Sequence, residues 1–154
     1  MTTDDARREY AHKVAQYWES VGFSRASGAI LGHLMVCEPA YQTQAQLALE
    51  LGLSAGTVST QLRALLASTL VEKTRVPGVR AQFYQLPENV WLGLIGSETE
   101  RIAGLRSLVE GGADALPATR TDRITALDTV VKFFEAEWPQ LMERYDEYLR
   151  KERS

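Results

Sequence analysis

Between positions 54 and 63 the chain places four hydroxyls and one guanidinium: Ser54, Thr57, Ser59, Thr60 and Arg63. At about 100° per residue, Gly56, Ser59, Thr60, Arg63 and Ala67 share one side of a helix, with Thr57 and Ala64 at its edge. Val58, Leu62 and Leu65 form the opposite, apolar stripe. Serine and threonine hydroxyls bond phosphate oxygens or base edges, and an arginine can fork onto a guanine. No acid occurs from Ser54 to Val71. A face without carboxylates approaches a polyanion without repulsion. The plainer reading is a small-residue helix packed inside the protein, and Arg63 in the middle of the face counts against it.

A second cationic group follows. Lys73, Arg75 and Arg80 gather around Pro77-Gly78, which separates two runs rich in Val, Thr, Phe and Tyr, Leu70–Val76 and Arg80–Leu86. That is the pattern of a hairpin. Arginines at such a tip suit a DNA backbone or the enhanced negative potential of a narrow minor groove.

Other chemistry is thinly supported. His33 and Cys37 stand four apart, a metal-ligand spacing, but no CxxC and no second histidine cluster complete a site. A buried thiol beside an ordinary histidine is the reading adopted, with no metal and no cofactor. There is no nucleophile–base pair and no phosphate-binding glycine loop, so an enzyme is not expected.

The elements that must position these residues are readable in order. Residues 4–20 read as a helix with Tyr10, Val14, Tyr17 and Val21 on one face and Gly22 at its end. Ser24 caps a second helix, 25–37, stopped by Pro39. Thr43 and Gln46 make a capping box at the head of a third. Gly52 supplies the turn, Leu53 plugs it, and Ser54 caps the fourth helix. Pro87 suits the start of a fifth helix reaching about Glu110, with Trp91, Leu94, Ile95, Ile102, Leu105 and Leu108 on its apolar side and Gly111-Gly112 as its stop. From Asp122 onward, Ile124, Leu127, Val131, Phe134, Trp138, Leu141, Tyr145 and Tyr148 alternate gaps of three and four, a heptad seam. Pro139 falls within it and should kink or divide the helix.

Size and charge bound the rest. The 154 residues are 45% hydrophobic and 24% charged, an ordinary globular balance with a net charge of −3. The acidity is uneven. Residues 54–86 carry four basic groups against Glu72 alone, whereas acids outnumber bases on both flanks. A basic element in an acidic body fits a protein that touches phosphate with one face. No apolar run is long enough to span a bilayer, no secretion signal precedes the first helix, and the single cysteine permits no intramolecular disulfide. A cytoplasmic protein is expected, with no membrane partner.

The runs GFSRASGAILGHLMV, TQAQLALELGLSAGTVSTQLRALLASTLVEK and PGVRAQFYQL together resemble the MarR superfamily of bacterial regulators, and within it the GbsR-type branch. The resemblance is good from Gly22 to Leu86; the flanking helices match in order and approximate length. It implies a mainly α fold with a small β-wing: a winged helix-turn-helix over 23–86, flanked by dimerisation helices at 1–22 and 87–154. It also implies a homodimer in which terminal helices intertwine and each wing reaches DNA. Carried over by position, Ser54, Thr57, Ser59, Thr60 and Arg63 belong to the recognition helix and Arg80 to the wing. Ala55 and Gly56 stand where larger polar residues are common in the family, which shifts weight to phosphate contacts and DNA shape.

The functional expectation is a sequence-specific DNA-binding transcriptional regulator, a ligand-responsive repressor acting as a homodimer on a near-palindromic operator. Thr43, Ser54, Gly56, Thr57, Ser59, Thr60, Arg63, Lys73, Arg75 and Arg80 are the expected DNA-facing set. Tyr10, Val14, Ile124, Leu127, Val131, Leu141, Tyr145 and Tyr148 are assigned to the dimer interface. Tyr17, Trp18, Trp91, Phe134 and Trp138 are candidates for a small-molecule effector pocket, with core packing as the competing account of each. The rival function is a winged-helix protein-interaction module that never touches DNA. That module would show apolar residues on the exposed recognition face.

Overall fold

The computed structural model describes residues 1–154, the side chain of Leu94 excepted, so the expectation for that side chain lies outside the described residues. Two compact units are present, Met1–Leu94 and Ile95–Ser154. The first holds helices α1 (Thr3–Ser20), α2 (Arg25–Val36), α3 (Gln44–Leu51) and α4 (Ala55–Ala67), with strands β1 (Tyr41–Thr43), β2 (Glu72–Thr74) and β3 (Phe83–Gln85). Helix α5 (Val90–Gly96) spans the boundary. Helices α6 (Glu98–Ala115) and α7 (Thr121–Glu152) make up most of the second unit, joined by a short 3-10 turn at Ala118–Arg120.

Helix α1 starts at a full capping box. The Thr2 hydroxyl accepts from the Asp5 amide at 3.1 Å, and the Asp5 carboxylate accepts from the Thr2 amide at 3.0 Å. Its buried face is Val14 and Trp18, whereas Tyr10 and Tyr17 stay 50% and 46% exposed. Of the expected face its own unit covers Val14, together with Trp18 beside it. The reason is α2, which approaches so closely that only small residues fit. A Cβ on Gly28 would lie 2.8 Å from the Ala15 carbonyl oxygen, and one on Gly32 would overlap that of Ala11.

The core of this unit joins Val14 and Trp18 to Ile30, Leu31 and Leu34 of α2, Leu47 of α3, and Val58, Leu62 and Leu65 of α4. Leu70, Val71 and Val90 complete it. Trp18 stacks on Trp91, centroids 5.4 Å apart, and meets Phe23 edge-on at 5.1 Å.

The sheet has three antiparallel strands in the order β1-β3-β2, with Gln42 and Lys73 on either side of Tyr84. Strand β1 is absent from the sequence reading, which has a two-stranded hairpin. The two foreseen strands are also shorter than expected, three residues each.

The second unit differs from expectation in three ways. The single helix foreseen from Pro87 is two, α5 and α6, with Ser97 between them. Gly111-Gly112 does not stop α6, which continues to Ala115. Gly112 instead lies where a Cβ would overlap Ile124 of α7, so its smallness serves helix packing. Helix α7 is not divided at Pro139 but runs continuously for 32 residues. Close by, the Gln140 side-chain amide donates to the Ala136 carbonyl at 3.2 Å, adding a bond in the turn that proline weakens.

Arg106 of α6 ties these helices together. It forks onto Glu135 with two bonds of 2.8 Å and reaches Asp128 at 2.8 Å, which also holds Lys132 at 2.6 Å. Hydrogen bonds from Lys132 and Arg106 hold the Asp128 carboxyl below its ordinary range, and Arg106 does the same for Glu135. Both carboxylates raise the Arg106 guanidinium in turn.

Candidate nucleic-acid interface

The site is built on α3, its turn and α4. Thr43 accepts from the Gln46 amide at 3.1 Å while the Gln46 side chain accepts from the Thr43 amide at 2.8 Å, the foreseen capping box. Gly52 closes α3 in the left-handed region, φ +62°, which a side chain would resist. Ser54 caps α4 by accepting from the Thr57 amide at 3.0 Å. The Gln44 side-chain amide reaches the Ala55 carbonyl at 3.4 Å, a second tie across the turn.

These bonds sort the expected contacts. Thr43 is half-buried and its oxygen serves the cap. The Ser54 hydroxyl donates to the Thr57 hydroxyl at 2.8 Å, so both brace the start of α4, and Thr57 is half-buried. Ser59 is half-buried as well. What α4 leaves open to solvent is Gly56, Thr60, Arg63, Ala64 and Ala67, with Ser54 and Ala55 at its head. No large apolar side chain lies among them. Gly56 has nothing within 4 Å of where its Cβ would stand.

The wing is a braced loop. The Val79 amide donates to the Val76 carbonyl at 3.1 Å, and Gly78 has φ +80°, so Val76–Val79 is a type II turn with proline and glycine in their favoured places. Arg75 donates through Nη1 to the Arg80 carbonyl at 2.9 Å. The Gln82 side-chain amide bonds both the Thr74 and Phe83 carbonyls at 2.9 Å. Lys73, Arg75 and Arg80 are exposed. Among the described residues no ion pair engages Arg63, Lys73, Arg75 or Arg80, whereas Arg7, Lys13, Arg101, Arg106 and Lys132 all hold carboxylates. These four cations are therefore among those that no carboxylate of the chain engages.

The effector candidates fall into two groups. Tyr17, Trp18 and Trp91 form the aromatic cluster of the first unit, where Trp18 is only 1% exposed and acts as core. Phe134 and Trp138 line a groove of about 290 Å³ in the second unit, with Thr99, Ile102, Arg106 and Glu135. There the Trp138 indole N–H donates to the Thr99 hydroxyl at 3.1 Å.

The dimer candidates divide likewise. Val14 and Val131 are buried within their own units, at 6% and 1% exposure, and offer no surface to a second chain. Ile124 and Leu127 are half-buried. Tyr10, Leu141, Tyr145 and Tyr148 are exposed. Among the described residues no group of three His, Cys, Asp or Glu side chains could hold a metal ion, and no helix is long and apolar enough to cross a membrane. Burial pushes the Cys37 thiol up.

Sequence reasoning missed Gln61, whose side-chain oxygen accepts hydroxyl bonds from Ser27 at 2.7 Å and Ser24 at 3.1 Å. It sits at the flank of the apolar stripe, and nothing in the local pattern marks it. The Arg106 fork was also missed, because its partners are 22 and 29 residues away.

Known proteins agree with this geometry. Residues 21–82 match a MarR family model. Over 145 residues, 90% of this chain and 86% of the other, it is 30% identical to the HTH-type transcriptional regulator MmpR5 of Mycobacterium tuberculosis (strain ATCC 25618 / H37Rv). A crystal structure of a transcriptional regulator superposes with a TM-score of 0.78 at 28% identity, covering 92% of this chain and 99% of that one. The chain belongs to the MarR family of winged helix-turn-helix transcriptional regulators, which bind DNA and are not enzymes.

Proposed function

We propose that this regulator is a homodimeric, ligand-responsive repressor of the GbsR-type branch, acting in the cytoplasm on a near-palindromic operator. The observation that carries the DNA contact is the exposed face of α4, which has no carboxylate and no large apolar group and is centred on Thr60 and Arg63. Arg63 supplies base or phosphate contact, and Arg80 with Lys73 anchors the wing. The face is small, so affinity leans on the wing and on a second subunit. The two recognition helices enter successive major grooves, with half-sites about 10 bp apart.

The exposed Leu141, Tyr145 and Tyr148 of α7 support the dimer, because they continue a seam whose first half α6 covers. An effector acts by binding one spacing of the recognition helices better than another. The groove beside Phe134 and Trp138 is the candidate for that ligand.

The test is a mobility-shift titration on duplexes selected by the protein from a random library. Arg80→Ala weakens binding to all sequences and lowers the salt slope by about 1 per subunit, while Arg63→Ala costs about 1–3 kcal/mol per half-site and also relaxes specificity. Undiminished operator binding by both variants would sink the assignment and favour a protein-docking role for the same face.

A further inference from the structure

Helix α4 is held against α2 in two ways. The first is apolar: Ile30, Leu31 and Leu34 share a core with Val58, Leu62 and Leu65. Such packing sets how close the helices lie, but it is non-directional and tolerates some roll about the helix axis. The second is polar. The Gln61 Oε1 atom accepts from the Ser27 hydroxyl at 2.7 Å and from the Ser24 hydroxyl at 3.1 Å. Ser27 is buried at 4% exposure, and Ser24 is itself fixed as the α2 cap, accepting from the Ser27 amide at 3.0 Å. Two donors one helical turn apart converge on one oxygen. Hydrogen bonds are directional, so this fork resists rotation where the apolar contacts do not.

The anchor is rigid. Gly28 and Gly32 bring α2 almost into backbone contact with α1. Gln61 therefore couples the recognition helix to a two-helix block. A roll of about 20° moves the tip of a side chain ~6 Å from the axis by ~2 Å, more than a base-edge hydrogen bond tolerates. Phosphate attraction falls off gradually with distance and survives such a shift.

We propose that Gln61 is a positioning residue for sequence recognition: by accepting from Ser24 and Ser27 it sets the roll of α4 and so aims Thr60 and Arg63. The inference rests on the DNA-binding reading above. The carbonyl of Gln61 is committed to α2.

The experiment compares two duplexes, one that the wild-type protein selects from a random library and a scrambled control of equal length, titrated across a salt series. Gln61→Met keeps the length of the side chain and removes the acceptor. It is expected to lower the ratio of selected to scrambled affinity by about fivefold or more, fivefold being the order expected for losing one of the two hydrogen bonds, with the salt slope unchanged. Gln61→Glu retains the acceptor and is expected to keep the ratio, while weakening both duplexes alike through its charge. Ser27→Ala combined with Gln61→Met should be no worse than Gln61→Met, because the Ser27 bond is already lost with the Gln61 acceptor. An unchanged ratio in Gln61→Met overturns the proposal. So does an equal loss on both duplexes, which would make Gln61 a sequence-independent contact or a residue of the fold alone. If Gln61→Met does not fold, Ser27→Ala alone must lower the ratio, and failure to do so overturns the proposal. A wild-type chain that selects no duplex at all overturns the DNA-binding reading instead.

Discussion

Gly32→Ala is the sharpest test of how α1 and α2 are packed. The added methyl would overlap the carbonyl oxygen of Ala11, and it would also lie 3.2 Å from that residue's carbonyl carbon and 3.3 Å from the Ala15 amide nitrogen. All three are backbone atoms, so no rotamer change relieves the clash and the helices must separate. Overpacking of this kind costs about 1–3 kcal/mol, and prying the helices apart also loosens Val14 and Trp18 against Ile30 and Leu31. Alanine returns up to about 1 kcal/mol of helix propensity, so with backbone atoms on every side and a cost in the upper part of that range the net loss is about 1–2 kcal/mol. For a chain of this size each kcal/mol corresponds to a shift in Tm of roughly 2–4 °C, giving an expected fall of about 2–8 °C. Gly56→Ala is the matched control. It makes the same substitution in a helix, but with nothing within 4 Å. It should raise Tm, or leave it unchanged if the first turn gains little. The assay is thermal unfolding followed by far-ultraviolet circular dichroism, with urea titration to confirm that the m-value is constant. A Gly32→Ala variant as stable as Gly56→Ala would refute the close-contact argument. It would also remove the rigid anchor on which the Gln61 fork depends.

Two further outcomes follow from local geometry. Thr69 has φ +60°, a left-handed conformation costly for a β-branched residue, so Thr69→Gly should stabilise the first unit by about 1 kcal/mol, read as a higher urea midpoint. The depressed carboxylates of Asp128 and Glu135 contribute stability that is present above their ordinary values of 3.8 and 4.5 and lost as pH falls through the lower folded ones. The helical signal should therefore soften on acidification below about pH 4, and Arg106→Met, which removes the shared partner, should flatten that acid limb. A limb of equal steepness in both proteins would mean other groups carry it.

Much of the DNA-binding module is legible locally. The Thr43–Gln46 box, the left-handed Gly52 and the Ser54 cap each need only a few neighbouring residues, and each forms as read. The Pro77-Gly78 turn is equally local. What was not legible depends on distant partners. Strand β1 exists because Tyr41–Thr43 pairs with Phe83–Gln85, some forty residues on, and three residues carry no pattern by themselves. Which residues of α1 its own unit covers is not legible locally: Val14 shares its face with Tyr10 and Tyr17, which stay exposed, and Trp18, outside that face, is buried. Only the glycines of α2 decide which side is covered. Gly111-Gly112 resembles a helix stop, yet Gly112 is small to admit Ile124. Within the site itself, Arg63 and Thr60 stand exposed as the periodicity places them. Thr43, Ser54 and Thr57 turn their oxygens inward to caps, which composition alone does not distinguish from outward contact.

The central claim is that the open face of α4 reads DNA with Arg63 while the wing holds phosphate with Arg80. The direct measurement is selection of bound duplexes from a random library, followed by salt-dependent titration of the winning sequence against Arg63→Ala and Arg80→Ala. The account predicts a two-fold symmetric sequence with half-sites about one helical turn apart, relaxed specificity in Arg63→Ala, and a uniform loss with a shallower salt slope in Arg80→Ala. An asymmetric winner, or a symmetric one bound equally well by both variants, would contradict it.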